Sequence, residues 1–425
     1  PRHVLPTARG TWEAAALTTP VTAHERIHAL DIMRGFALLG MILVHFHEAA
    51  NGFHDLPGNA RSVIEEVISW AVWLLVETKS HGTFAFLFGA GFAIQLRRAE
   101  ARGASFLSVY LRRLLVLALF GVAAHALFGY NVLLGFAYGG LGLLVVRKWS
   151  VRALLLAAVV SAMLPSLFEI GRGAWEWASL GQEGAVAASE SRMERNGAVW
   201  EALTMAESQP SYAVTLRGRL RHMAWFHRQP FFLLPGQTFC LCLLGLLAIR
   251  CGILEDPRRR LRVIAAFMVY GAAAWAIGRW GLPLWEADFA VSGVAEAIGR
   301  GLGLAQDQWL AFTYIGGLLL LLSYREEWLG RLAFMARAGR MALTNYLLQI
   351  AILDILFSGY GLDLEIREIM VIPATLLLFG GEVALSRLWL GRFRFGPAEW
   401  LWRSLTYGRL EPLLIPRLAP QPGRN

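Results

Sequence analysis

The chain has 425 residues, of which 56% are hydrophobic, 12% aromatic and only 17% charged, and its mean hydropathy is +0.47. A water-soluble domain carries about a quarter of its residues as Asp, Glu, Lys and Arg, so the composition excludes one. The formal charge of +9 comes from arginine clusters between apolar runs, where membrane orientation accounts for them without a nucleic-acid partner; Cys240, Cys242 and Cys251 have neither a histidine cluster nor an even framework of pairs, which excludes a zinc site and a disulfide scaffold.

Residues 1–30 mix Pro, Thr, Arg, His and Glu with no apolar stretch, and are read as a cytoplasmic tail rather than a signal peptide. The region 31–390 is predicted to be an all-α polytopic membrane bundle of about ten helices, each near the ~20 residues that cross a bilayer. The expected spans lie near 32–50, 83–97, 112–129, 131–147, 152–170, 231–250, 262–281, 308–324, 341–358 and 369–388. The segment 63–78 is apolar on one side but carries Glu65, Glu66 and Glu77, and reads as an interfacial or re-entrant helix. Clusters of Lys and Arg at 97–113, 147–152, 250–262, 325–340 and beyond 387 then share one side, so both termini are expected in the cytoplasm. The long loop 171–230 becomes an extracytoplasmic cap, and 391–425 a cytoplasmic amphipathic segment. Apolar runs in this number imply a multi-pass membrane protein.

An ionisable side chain inside a span costs at least ~2.5 kcal/mol on insertion scales, so each one asks for a partner or a function. The first span is the richest case. Asp31 and Arg34 are three residues apart and can pair. Arg34 and His45 are about three turns apart, which puts them on one helical face some ~16 Å from each other along the axis. A guanidinium near the inner interface and an imidazole deeper in the span suit a phosphate-rich head with a long thin arm, the shape of acyl-coenzyme A. Arginine grips phosphate through its planar fork, and a histidine near neutrality can take a proton from an attacking hydroxyl or amine. His47 and Glu48 follow at the outer rim, and the stretch from Lys79 to Thr83, which includes His81, leads into the glycine-bearing run Phe84–Gly91. In the ninth span Arg340 precedes Asn345 and Gln349, an amide pair one turn apart that serves either as interhelical hydrogen bonds or in the site. His125 and Glu382 are read as structural pairs.

Four stretches, Leu30–Gly40 (LDIMRGFALLG), Phe84–Gly91 (FAFLFGAG), Gly339–Gln349 (GRMALTNYLLQ) and Gly396–Tyr407 (GPAEWLWRSLTY), resemble the YeiB-like bacterial membrane proteins. That family is similar to heparan-alpha-glucosaminide N-acetyltransferase and to the type-three integral-membrane acyltransferases. In the latter, an arginine and a histidine with ten residues between them mark the first helix, as Arg34 and His45 do here. A Gly-Asp-Ile-Leu pattern before the fourth span is replaced by Tyr130, Asn131, Val132 and Leu133. The resemblance implies transfer of an acyl group, acetyl being the one expected, from cytoplasmic acyl-CoA to an acceptor in or across the membrane.

The expected site therefore has His45 as general base, with Asn345 or Gln349 donating to the oxyanion. Arg34, paired with Asp31, would hold the coenzyme with Arg340 and Arg403, and no metal is implied. The acceptor is a sugar, lipid or small metabolite, the other contacts are membrane lipids, and monomer and homodimer fit equally. The rival reading is a transporter whose buried charges line a solute or proton pathway.

Overall fold

The computed structural model describes residues 23–51, 62–77, 79–101, 106–129, 132–229, 236–277, 310–325 and 327–415. The predicted tail up to residue 22, Tyr130 and Asn131, the outer ends of the 262–281 and 308–324 spans, and the last ten residues lie outside them. The described chain is helical. In order its helices are α1 (Ala23–Asn51), α2 (Val63–Leu75), α3 (Lys79–Ala101), α4 (Phe106–Phe128), α5 (Val132–Val146), α6 (Val151–Glu207), α7 (Tyr212–Phe226), α8 (Gly236–Arg250), α9 (Leu261–Ala276) and α10 (Leu310–Tyr324). They continue with α11 (Glu327–Arg331), α12 (Ala333–Arg340), α13 (Ala342–Phe357), α14 (Glu368–Leu390) and α15 (Pro397–Tyr407). Among the described residues the sole β-type pairing is a bridge between Phe393 and Leu414.

The described part of each expected span is helical. Ala29–Asn51, α4, α6 and α14 are long and apolar enough to cross a bilayer, and a fifth crossing is available if α12 and α13, bent by 80° at Met341, count as one broken span. Helices α5, α8, α9 and α10 are apolar but shorter, so the protein is a multi-pass membrane protein. The segment after residue 62 is a 13-residue helix opened by a capping box, in which Ser62 and Glu65 satisfy each other's backbone N–H groups. Arg367, just before α14, grips the Glu65 carboxylate at 3.0 Å and ties α2 to the bundle.

Helix α1 is the axis of the fold: 72% of its apolar window is buried, against 28–33% for α4, α6 and α14. Glycines let its neighbours approach to backbone contact. A Cβ at Gly35 would overlap the Met335 carbonyl, and one at Gly339 the Asp31 carbonyl, so α12 lies directly against α1. Gly89 on α3 and Gly245 on α8 meet the carbonyls of Cys242 and Phe86 in the same way. Small residues at such crossings are what holds helices together where lipid offers no hydrophobic driving force.

The predicted cap takes a definite form. Helix α6 runs on beyond its apolar part, and Gly181, at φ 71°, breaks it into two rods. Arg192 reaches Glu176 at 2.5 Å across sixteen residues, a separation of about 24 Å in a straight helix, so the second rod folds back on the first. It returns to the bundle at Glu207, where α7 docks.

Candidate functional site

Positions 34, 41 and 45 recur at i, i+7 and i+11, one stripe of a helix. In the structure that stripe faces two cavities. The first, about 320 Å³, is lined by Arg34, Arg113, Arg340 and Arg403 together with Gln95, Tyr110, Tyr346 and Trp402. The second, about 530 Å³, contains His45, Glu48, His81, Arg219, His222 and Asp354. Met41 and Val132 line both, so the cavities are neighbours along α1. The guanidinium of Arg34 opens onto one and the imidazole of His45 onto the other.

Among the described residues, four arginines and a single carboxylate, that of Glu399, line the arginine chamber, and Glu399 is already committed. It accepts from the backbone N–H groups of Leu343 at 2.6 Å and Thr344 at 3.1 Å, and from the Thr344 hydroxyl at 2.5 Å. It thereby caps α13 from a different helix, satisfying donors that every helix start leaves open. Burial pushes its carboxyl above the usual range, while the bonds from Thr344 and Leu343 pull the other way. This contact joins the GRMALTNY and GPAEWLWRS stretches directly. Arg34 is held by Asp31 at 2.5 Å; Asp31 does not line the cavity, so it acts on the site by positioning Arg34. Arg113 lies 3.8 Å over the Trp402 ring, whose indole N–H donates to the Arg113 carbonyl at 3.0 Å. Arg403 lies over Phe395 at 4.4 Å. The aromatic faces aim the guanidinium planes while leaving their N–H edges for a ligand.

In the histidine chamber His45 Nδ1 lies 3.2 Å from Glu48 Oε2. A carboxylate accepts only, so in the neutral ring a hydrogen bond to Glu48 is donated by Nδ1–H and leaves the lone pair on Nε2. That is the tautomer of a general base, oriented by a neighbouring carboxylate. His81 enters the same chamber from α3, bonded to Thr238 at 3.1 Å and stacked on Phe136. Phe136 lines the arginine chamber, so this stack stands at the junction. His47 turns away, to Glu368 at 2.6 Å. The roof comes from the cap: Arg219 on α7 bonds Asp354 at 2.5 Å, Glu207 at 2.9 Å and the Leu127 carbonyl at 2.5 Å.

The structure thus brings Arg34, Arg340 and Arg403 together around one cavity, with His45 at the next. It does not bring in the amide pair. Asn345 and Gln349 are fully buried and line neither chamber. Asn345 donates to the Ala338 carbonyl and the Ser386 hydroxyl, both at 3.1 Å, and Gln349 donates to Glu382 at 3.0 Å. The face they share meets α14, and Tyr346 between them faces the arginine chamber instead. Sequence reasoning missed Arg113, which reads only as an orientation charge, and the capping role of Glu399, whose partner is 55 residues away. It also missed the Arg219–Asp354 pair, 135 residues apart, for which no local signal exists.

Residues 26–178 match the family described as heparan-alpha-glucosaminide N-acetyltransferase, catalytic. Residues 248–409 match a family described as a protein of unknown function (DUF418). YxaH of Bacillus subtilis (strain 168), described as uncharacterized, is 27% identical over 415 residues, covering 93% of this chain and 97% of the relative. An uncharacterized 39.9 kDa protein of Bacillus acidopullulyticus, from the amylase 3′ region, is also 27% identical, covering 94% of this chain and 99% of the relative. YeiB of Escherichia coli (strain K12) is 40% identical over 79 residues, 19% of this chain and 20% of that protein. No solved structure matches. The two matched regions both wall the arginine chamber, the first through Arg34 and Arg113 and the second through Arg340 and Arg403. The chain is thus similar to heparan-alpha-glucosaminide N-acetyltransferase in its N-terminal part and to the YeiB-like proteins in its C-terminal part.

Proposed function

We propose that this protein is an integral-membrane acyltransferase that moves an acyl group, acetyl being the simplest, from acyl-CoA in the arginine chamber to a hydroxyl or amine acceptor in the histidine chamber. The observation that carries the reading is the pair of neighbouring cavities that share Met41 and Val132, with Arg34 and His45 of one helix lining one each. Phosphates of the donor sit among Arg34, Arg113, Arg340 and Arg403, on the side assigned to the cytoplasm by the arginine clusters, where a planar fork matches phosphate geometry. The pantetheine arm then points along α1, whose rise from Arg34 to His45 is about 16 Å.

In the transfer step His45 Nε2 takes the acceptor's proton as the acceptor's oxygen or nitrogen bonds to the thioester carbon. The tetrahedral intermediate collapses with cleavage of the carbon–sulfur bond. The leaving thiolate takes the proton from the imidazolium, giving acylated acceptor and free thiol. Glu48 keeps the imidazole in its reactive tautomer and steadies the positive charge that forms on it. Because Asn345 and Gln349 are bonded to α14, no step runs through them.

The test uses the full chain in lipid nanodiscs with acetyl-CoA and a panel of amine and hydroxyl acceptors, reading thiol release and the acylated product. His45→Ala is expected to abolish turnover while coenzyme still binds, whereas Arg34→Ala raises the donor KM with a smaller effect on kcat. Glu48→Gln should lower kcat with KM unchanged. Coenzyme-independent solute flux in vesicles, with no thiol release from the wild type, would overturn the assignment in favour of a transporter.

A further inference from the structure

A third cavity lies on the flank of the bundle, away from both chambers, and its chemistry differs from theirs. It is about 280 Å³ and its walls come from α6, α8, α9 and α10, including Leu155, Leu247, Val263, Phe267 and Leu319. Among the described residues its one charged lining residue is Arg260, which stands at the start of α9 in the run Arg258-Arg259-Arg260-Leu261-Arg262. This places the mouth of an apolar slot beside a basic cluster. The slot opens at the same end of the bundle as the arginine chamber: Arg97 near the end of α3 pairs with Glu255 in the α8–α9 turn at 2.5 Å, and Gln95, half a turn earlier, lines that chamber.

The cluster is not uniform. Arg258 donates to the Ser323 carbonyl at 2.8 Å and lies over Tyr324, which fastens the α8–α9 turn to the end of α10. Arg259 pairs with Asp256 at 3.0 Å and is 87% exposed. Arg260 alone of the three borders the slot. An arginine meant only to orient the chain in the membrane has no reason to border a cavity lined by leucine, valine and phenylalanine.

We propose that this slot is a binding site for an anionic phospholipid, with one acyl chain between α8, α9 and α10 and the headgroup phosphate on Arg260, supported by Arg262. Charge complementarity selects the ligand: a basic pocket between transmembrane helices at the interface is the arrangement that retains acidic lipid headgroups, and the described lining below it is apolar save for the Cys251 thiol. The site is separate from the acyl-transfer chambers, so it stands whether or not the proposed function does.

The experiment is native mass spectrometry of the full chain released from nanodiscs made of equal parts phosphatidylglycerol and phosphatidylcholine. The wild type should retain one phosphatidylglycerol in preference to phosphatidylcholine. Arg260→Gln should lower that preference by about fivefold, the share of one basic residue at an anionic surface. Arg259→Gln serves as the control and should leave the preference in place. Val263→Trp, a half-exposed position on the slot wall that tolerates a larger side chain without disturbing the core, should reduce retention of both lipids. Equal retention of the two lipids by the wild type, equal losses in Arg259→Gln and Arg260→Gln, or unchanged retention in Val263→Trp would each overturn the proposal.

Discussion

Arg219 is the residue whose removal should reveal most about how the cap is held over the histidine chamber. Its side chain is 3% exposed and that of Asp354 2%, while Glu207 is 21% exposed. Arg219→Met keeps the volume and removes the charge. Among the described residues Asp354 then keeps the hydroxyls of Ser358 and Tyr360, and the Leu127 carbonyl loses a donor. Breaking a buried ion pair from one side costs ~3–5 kcal/mol. The lower end applies here, because Glu207 is near enough to solvent to be rehydrated. At 1.36 kcal/mol per tenfold, ~3 kcal/mol corresponds to roughly a hundredfold rise in the open population of the cap. Hydrogen–deuterium exchange in micelles reads this directly: amides of α7 should exchange about a hundredfold faster, while those of α3 and α8 keep their protection. Asp354→Asn added to Arg219→Met should recover part of the loss, since it removes the stranded charge, with a coupling energy on the order of 1–3 kcal/mol. Exchange in α7 within threefold of wild type, or two substitutions that simply add, would refute the idea that this network fastens the cap.

Two more outcomes follow from the same structure. Glu399→Ala should cost ~1–2 kcal/mol through loss of the α13 cap and also weaken donor binding, because Trp402 and Arg403 ride on the same helix; Glu399→Gln, which keeps an accepting oxygen, should restore most of the thermal stability in a melting scan. Glu65 predicts an acid-labile contact. Arg367, with the Ser62 backbone, lowers its carboxyl from 4.5 to about 2. A carboxyl lowered in the folded state contributes fully above its unfolded value and loses that contribution as pH falls through its folded value. Protection of α2 should therefore hold steady near neutrality and decline between about pH 4.5 and 2, and Arg367→Gln should flatten that profile.

Hydropathy alone placed the helices, because in hydrocarbon each backbone polar group must be satisfied within its own segment, so an apolar run of sufficient length has little choice but to be helical. The helical period likewise put Arg34, Met41 and His45 on one stripe of α1, and a capping box fixed the start of α2. These are properties of single elements. The period also put Asn345 and Gln349 on a common face, yet could not say what that face would meet; α14 lies there, with Ser386 and Glu382 as partners. Arg113 lines the arginine chamber with α15's Trp402 laid against it. The sequence by itself determined that this is a membrane bundle whose first helix carries a cation and an imidazole about 16 Å apart. Only the tertiary structure decided that the two groups open onto adjoining chambers, that four arginines share one of them, and that a cap pinned by Arg219 covers the other. The reason is range: periodicity relates residues a few turns apart on one rod, whereas a cavity is made where several rods fail to touch.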